Sequence, residues 1–165
     1  MDYPKIPGWK RIIQRLAMIE AISSRFLPKY LHQIDYAVLE MTQGRKNLST
    51  MLSGLPVVVI STTGARSGKT RTIPLGGLPD GDNIILIATW FGNPRYPAWY
   101  YNLRANPEVI VSQEGQSRKY IARLADGKER QDCWQLAIHY YPGYQSYEQR
   151  TGGREIPIFI LEPVA

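Results

Sequence analysis

The chain has 165 residues, 44% of them hydrophobic and 21% charged, with a formal net charge of +6. These are the proportions of one globular domain with a real core, and they exclude a disordered, collagen-like or coiled-coil chain. The positive excess lies in one half: residues 1–75 carry eleven Lys or Arg against four Asp or Glu, and residues 76–165 carry nine against ten. An anionic partner is therefore sought near the first half.

Residues 1–8 hold two prolines and a glycine and read as a loose arm. From Trp9 the apolar residues Ile12, Ile13, Leu16 and Ile19 recur at helical spacing, with Lys10, Arg11 and Arg15 among them, until Pro28 limits the helix. A second helical pattern, Tyr30 to Met41, aligns Leu31, Ile34, Val38 and Met41, and Gly44 suits its cap. Residues 1–44 thus form an N-terminal helical extension and residues 45–165 the main domain. Two readings of the extension stand: helices packed on the core, which we favour, or a basic amphipathic surface for an anionic membrane.

Beyond Leu55 the texture changes. Val57-Val58-Val59-Ile60 is a β-branched run that predicts a buried strand. Arg71 to Leu78 predicts a second strand, interrupted by Pro74 and Gly76-Gly77. Pro79 to Asn83 has turn chemistry, and Ile84 to Thr89 completes a hairpin. Ala98 to Ala105 predicts a helix. Glu108 to Gln113 and Arg118 to Leu124 form another hairpin, turned at Glu114-Gly115-Gln116. Lys128 to Tyr140 predicts a helix with Asp126 as N-cap, and Ile156 to Leu161 a last strand. Adjacent hairpins imply antiparallel pairing, so the class is α+β and not doubly wound α/β.

Thr62 to Thr70 reads T-T-G-A-R-S-G-K-T, close to the phosphate-binding pattern G-x-x-x-x-G-K-S/T. The spacing fails, because the required glycine falls on Thr63 and Gly64 is one residue too near. The context fails too, since a strand follows where a helix should open. What is left is a turn with Gly64 and Gly68, three bases (Arg66, Lys69, Arg71) and several hydroxyls. It reads equally as a small anion site or as a solvated basic hairpin turn.

Few groups are suited to acid–base work. His32 and His139 are isolated and read as structural. Cys133, the single cysteine, reads as a packed thiol, so no intrachain disulfide forms, which fits a reducing cytosol. No cluster suggests a metal site, and no apolar run approaches the ~18 residues of a membrane span. The N-terminus lacks the pattern of a signal peptide. A cytoplasmic protein is expected, peripheral to the membrane on the alternative reading of the extension. No nucleic-acid-binding motif is present. Tyr141, Tyr144 and Tyr147 recur every third residue beside Pro142-Gly143, so one helical turn aims them at a common point. They read as a tyrosine-rich core edge or as the wall of a site for a planar molecule.

Four blocks in order, T-T-G-A-R-S-G-K-T-R-T-I-P-L, P-A-W-Y-Y-N-L-R-A-N-P, Y-Y-P-G-Y-Q-S-Y and I-P-I-F-I-L-E-P, resemble the deazaflavin-dependent nitroreductase family over residues 45–163. The resemblance implies a split β-barrel, of the FMN-binding type, with flanking helices. It implies an oxidoreductase that uses coenzyme F-420. The family's turn that contacts the coenzyme's phosphate and acidic tail matches Gly64, Arg66, Ser67, Gly68, Arg71, Pro74 and Leu75, with Thr62 and Lys69 beside it. A second block that packs beside the coenzyme matches Ala98, Trp99 and Asn102. The family's pocket tyrosines match Tyr141, Tyr144 and Tyr147; Tyr144, or another of the three, is expected to orient the acceptor and donate a proton. Two family bases are absent, at Ala65 and at Trp90, and Gly76 stands where a tyrosine is usual.

The resulting expectation is hydride transfer from reduced F-420 to a small electrophilic acceptor: an enone, a quinone or a nitroaromatic. The alternative is a non-catalytic or FMN-using barrel of the same kind. No metal is required, the cofactor carrying the chemistry. A homodimer is plausible by analogy of fold.

Overall fold

Six strands, most of them rich in Val, Ile, Leu or Thr, pair into a closed antiparallel barrel in the computed structural model, which describes residues 55–113 and 115–164 together with Gly8, Trp9, Arg11 and Ile12. In chain order the elements are β1 (Val57–Thr63), β2 (Thr70–Asp80), β3 (Asn83–Ile87), a 3-10 turn (Trp90–Gly92), α1 (Ala98–Ala105), β4 (Glu108–Gln113), β5 (Gln116–Leu124), α2 (Gly127–Tyr140), α3 (Gly143–Arg150) and β6 (Ile158–Pro163). Around the barrel the order is β1-β2-β3-β6-β5-β4, and β4 closes on β1.

Strand alternation sorts the side chains into two cores. Val58 and Ile60 of β1 point inward and meet Ile84, Leu86, Val109, Val111, Phe159 and Leu161, and α1 adds Trp99 and Leu103 to this cluster. β3 and β6 are buried on both faces. Their other residues, Ile85, Ile87, Ile158 and Ile160, pack outside the barrel with Leu136, Ala137 and Cys133 of α2 and with Tyr141 and Tyr144. That double burial is why both strands are continuous apolar runs in the sequence.

The expected α+β split barrel is therefore present, with both hairpins. Several bounds differ. β1 runs on through Ser61, Thr62 and Thr63, because their partners Thr72, Arg71 and Thr70 continue the ladder. β2 is not interrupted. Residues 70–76 pair with β1 only, and pairing with β3 begins at Gly77, so Pro74 sits where one strand edge is unpaired and a missing N–H costs little. Gly77 is needed for packing: a Cβ there would meet Val58 at 2.7 Å and Ile84 at 3.0 Å. β3 ends at Ile87 rather than Thr89, β5 begins at Gln116, and β6 spans Ile158–Pro163 rather than 156–161. α2 starts one residue early, and Asp126 holds the N-cap position without a side-chain capping bond. α3 is a full helix of eight residues where the tyrosine spacing predicts only one helical turn. The predicted helices over 9–22 and 30–41, the Gly44 cap and the turn residue Glu114 lie outside the described residues. The exceptions are Gly8, Trp9, Arg11 and Ile12, which are helical. No described helix is long and apolar enough to cross a membrane.

Candidate functional site

Where β1 hands over to β2, the chain must reverse while carrying three cations. The Gly64 N–H donates to the Lys69 carbonyl (2.9 Å) and the Gly68 N–H to the Gly64 carbonyl (2.8 Å), closing the turn on itself. Arg66, Ser67, Gly68, Lys69 and Arg71 are exposed. Among the described residues no carboxylate lies within ion-pair distance of Arg66, Lys69 or Arg71.

Asn102 of α1 holds this turn. It is buried, its Oδ1 accepts the Ala65 N–H (3.0 Å), and its Nδ2 donates to Thr62 Oγ1 (3.0 Å). The Thr62 hydroxyl in turn donates to the Arg71 carbonyl (3.3 Å). One helix residue thus ties both β1 and the turn to α1, with Thr62 carrying the link on to β2, and its amide is committed to the protein. The remaining expected coenzyme residues divide. Ala98 is exposed at the start of α1, and Pro74 and Leu75 are half-buried on β2. Trp99 turns into the barrel core, its ring 5.9 Å from that of Phe159.

The tyrosines form a cluster of their own. The Tyr144 ring stands edge-on to Tyr141 at 5.5 Å and to Tyr147 at 6.2 Å, and the Tyr141 and Tyr147 hydroxyls are 3.4 Å apart. Tyr141 and Tyr144 are buried, and Tyr147 is half-buried. Tyr144 and Tyr147 sit on α3, whereas Tyr141 lies in the link from α2. Burial above all, and then the neighbouring Tyr141, push the Tyr144 and Tyr147 phenols up, so both stay protonated at neutral pH as hydrogen-bond donors.

The cluster packs outside the β3–β6 wall, and the basic turn lies at the α1 end. The segment 88–97 joins them. Phe91 meets Tyr147 edge-on at 6.1 Å. Arg154 straps this segment down, donating to the carbonyls of Ala88, Thr89 and Asn93 and lying 4.7 Å over the Tyr96 ring. Tyr96 stacks on Tyr100 of α1 at 4.3 Å. Trp90 and Phe91 have φ of 45° and 55°, a left-handed conformation that bulky residues rarely adopt.

The sequence pattern does not single out Arg150, Arg154 or Phe91. The two left-handed aromatics leave no sequence signal, and a strapping arginine looks like any other. His139 lies edge-on to Tyr140 at 6.1 Å. Cys133 is buried, and that burial pushes its thiol up to about 11. The described residues contain no group of three or more metal-ligating side chains.

The donor set suits an anionic coenzyme: guanidinium and ammonium groups with no carboxylate partner among the described residues, on a turn held at two points, with Ser67 and Thr70 exposed beside them. Comparison with known proteins agrees. Residues 32–163 match the family model described as F420H(2)-dependent quinone reductase. A protein of Mycobacterium tuberculosis named F420H(2)-dependent quinone reductase is 30% identical over 146 residues, covering 84% of this chain and 96% of that protein. A solved structure described as an F420-H2 dependent reductase is 40% identical, with a TM-score of 0.60 over 65% of this chain and 94% of that one. Another, described as a domain-swapped dimer, is 35% identical, with a TM-score of 0.62 over 81% of this chain and 98% of that one.

Proposed function

The chain belongs to the F420H(2)-dependent quinone reductase family, and on that premise we propose that it transfers hydride from reduced coenzyme F-420 to a quinone-type acceptor. The observation that carries this reading is the cationic β1–β2 turn locked to α1 by Asn102.

Bound F-420 supplies the hydride, and the chain supplies binding, orientation and a proton. Arg66, Lys69 and Arg71 hold the phosphate and acidic tail, with Ser67 and the turn backbone beside them. Asn102 and Thr62 act through the turn as positioning residues. Tyr141 and Tyr144 form an apolar wall for a planar acceptor. Tyr147, the least buried of the three, donates the proton that the acceptor's oxygen needs once hydride has arrived. Of the three tyrosines, access favours Tyr147 over Tyr144 for this role.

Two finer readings go with this. The outer face of β1, β4 and β5 carries exposed Ile110 and Ile121 beside half-buried Val57 and Val59, which supports pairing of two copies. Trp9 and Ile12, exposed on either side of Arg11, support contact of the 1–44 extension with an anionic membrane, ahead of a barrel domain over 45–165.

The deciding experiment titrates the protein with F-420 and with FMN by fluorescence at low and high salt, then follows anaerobic reduction of a water-soluble naphthoquinone. Tight F-420 binding that salt weakens, followed by turnover, supports the reading. FMN binding without F-420 binding would overturn the coenzyme.

A further inference from the structure

Arg150 ends α3 one helical turn after Tyr147, which puts the two side chains on the same flank. Its guanidinium carbon lies 5.9 Å from the centre of the Tyr147 ring. Its Nη1 is buried and has no hydrogen-bond partner, and among the described residues no carboxylate is within ion-pair distance. Buried donors, and charged ones above all, normally have partners, so an orphan calls for an explanation.

The surroundings hold Arg150 in place. A side-chain carbon at Gly92 would meet Arg150 Cβ at 2.7 Å and the Tyr147 carbonyl at 3.0 Å. Phe91, left-handed beside Gly92, packs its ring against Tyr147. The Trp90–Gly92 turn thus lies close against both members of the pair. A strained turn beside a cation without an anion points to an anion that exists only during the reaction.

We propose that Arg150 is a positioning residue for proton delivery, its charge stabilising the Tyr147 phenolate that forms when the Tyr147 proton passes to the acceptor. This rests on the quinone reductase reading above. Hydride brings the acceptor two electrons and one hydrogen, and the quinone's remaining oxygen then needs one proton to give the hydroquinone. The Tyr147 O–H bond breaks and the hydroquinone O–H bond forms. No electrons change centre in this step, and the phenolate regains its proton from water. Among the described residues the groups that act on the Tyr147 phenol are Tyr141, Tyr144 and Arg150. Burial and the two tyrosines disfavour the phenolate, and of these described groups Arg150 favours it. The Trp90–Gly92 turn adds no titratable group.

The test places 3,5-difluorotyrosine at position 147 and follows its titration by fluorine NMR without coenzyme, in the parent protein, Arg150→Gln and Arg150→Lys. Removing the charge should raise the midpoint by about one pH unit, and Lys should hold it near the parent value. With natural tyrosine, Arg150→Gln should lower kcat about tenfold with KM little changed, and Arg150→Lys should recover most of it. An unmoved midpoint in Arg150→Gln overturns the proposal, whatever kcat does. If the midpoint moves but the parent protein reduces no quinone, the functional reading falls while the coupling of Arg150 to Tyr147 stands. If the parent protein turns over and the midpoint is unmoved, the reading stands and the role of Arg150 falls.

Discussion

Asn102→Ala is the most informative single change, because it separates the turn's stability from its use. The substitution removes two hydrogen bonds of 3.0 Å each, one from the Ala65 N–H and one to Thr62 Oγ1. Thr62 is only 2% exposed, so its oxygen loses a partner that water cannot readily replace. A partly exposed bond is worth ~1 kcal/mol net, and a buried group left unsatisfied costs ~1–2 kcal/mol, so the protein should lose about 2–3 kcal/mol. In a chain of this size each kcal/mol is worth ~2–4 °C in Tm, which puts the expected fall at roughly 5–10 °C. The variant should still fold, since Trp99 and Leu103 keep α1 in the barrel core. F-420 affinity should drop about tenfold, because the turn must then be ordered when the coenzyme binds. Thermal unfolding reads the first effect and a fluorescence titration the second. Loss of stability with F-420 affinity unchanged would refute the reasoning that the turn holds the coenzyme. No change in either would refute the hydrogen-bond argument itself.

Replacing Arg66, Lys69 and Arg71 together by Ala should weaken F-420 binding at least tenfold and flatten its salt dependence; fluorescence titrations at two ionic strengths decide this. Gly143→Ala should destabilise by ~1–3 kcal/mol, since the new methyl overlaps the Tyr141 ring; thermal unfolding and near-ultraviolet dichroism would register it. Cys133 should resist thiol reagents at neutral pH and react only on unfolding. Its thiol pKa is about 11 in the fold against about 8.5 when unfolded, so its contribution to stability is complete below the unfolded value and is lost as pH rises from there through the folded one. A Cys133→Ala variant should show a shallower alkaline decline in urea unfolding.

The strands were readable wherever one local pattern decided the outcome. Ile84 to Ile87 and Phe159 to Leu161 are unbroken apolar runs because both of their faces are covered. The β4–β5 hairpin announces itself by Gly115, at φ 84°. Where a second strand or helix decided, local reading failed. Pro74 looks like a break until the unpaired edge of β2 is known. α3 is too short and too polar to declare itself beside Pro142, and it forms because Tyr144 and Tyr147 pack on the cluster outside β3 and β6. Trp99 and Asn102 stand three apart on one helix and look alike as site residues. One lies in the core, and the other is hydrogen-bonded to the turn.

The sequence by itself determined an α+β chain of antiparallel hairpins, a positive first half, a basic turn too short for a triphosphate loop, and a tyrosine triplet. Those follow from composition, periodicity and spacing, which act over a few residues. Tertiary structure decided what those features do. Asn102 stands 37 residues from Ala65 in the chain, yet it fixes the basic turn. Arg154 stands 61 residues beyond Asn93, yet it straps the segment between turn and tyrosines. Arg150 keeps an orphan donor beside Tyr147, with the Trp90–Gly92 turn folded against both residues. Hydrogen bonds and charges act through space, so their partners are set by how the barrel closes and not by neighbours in the chain.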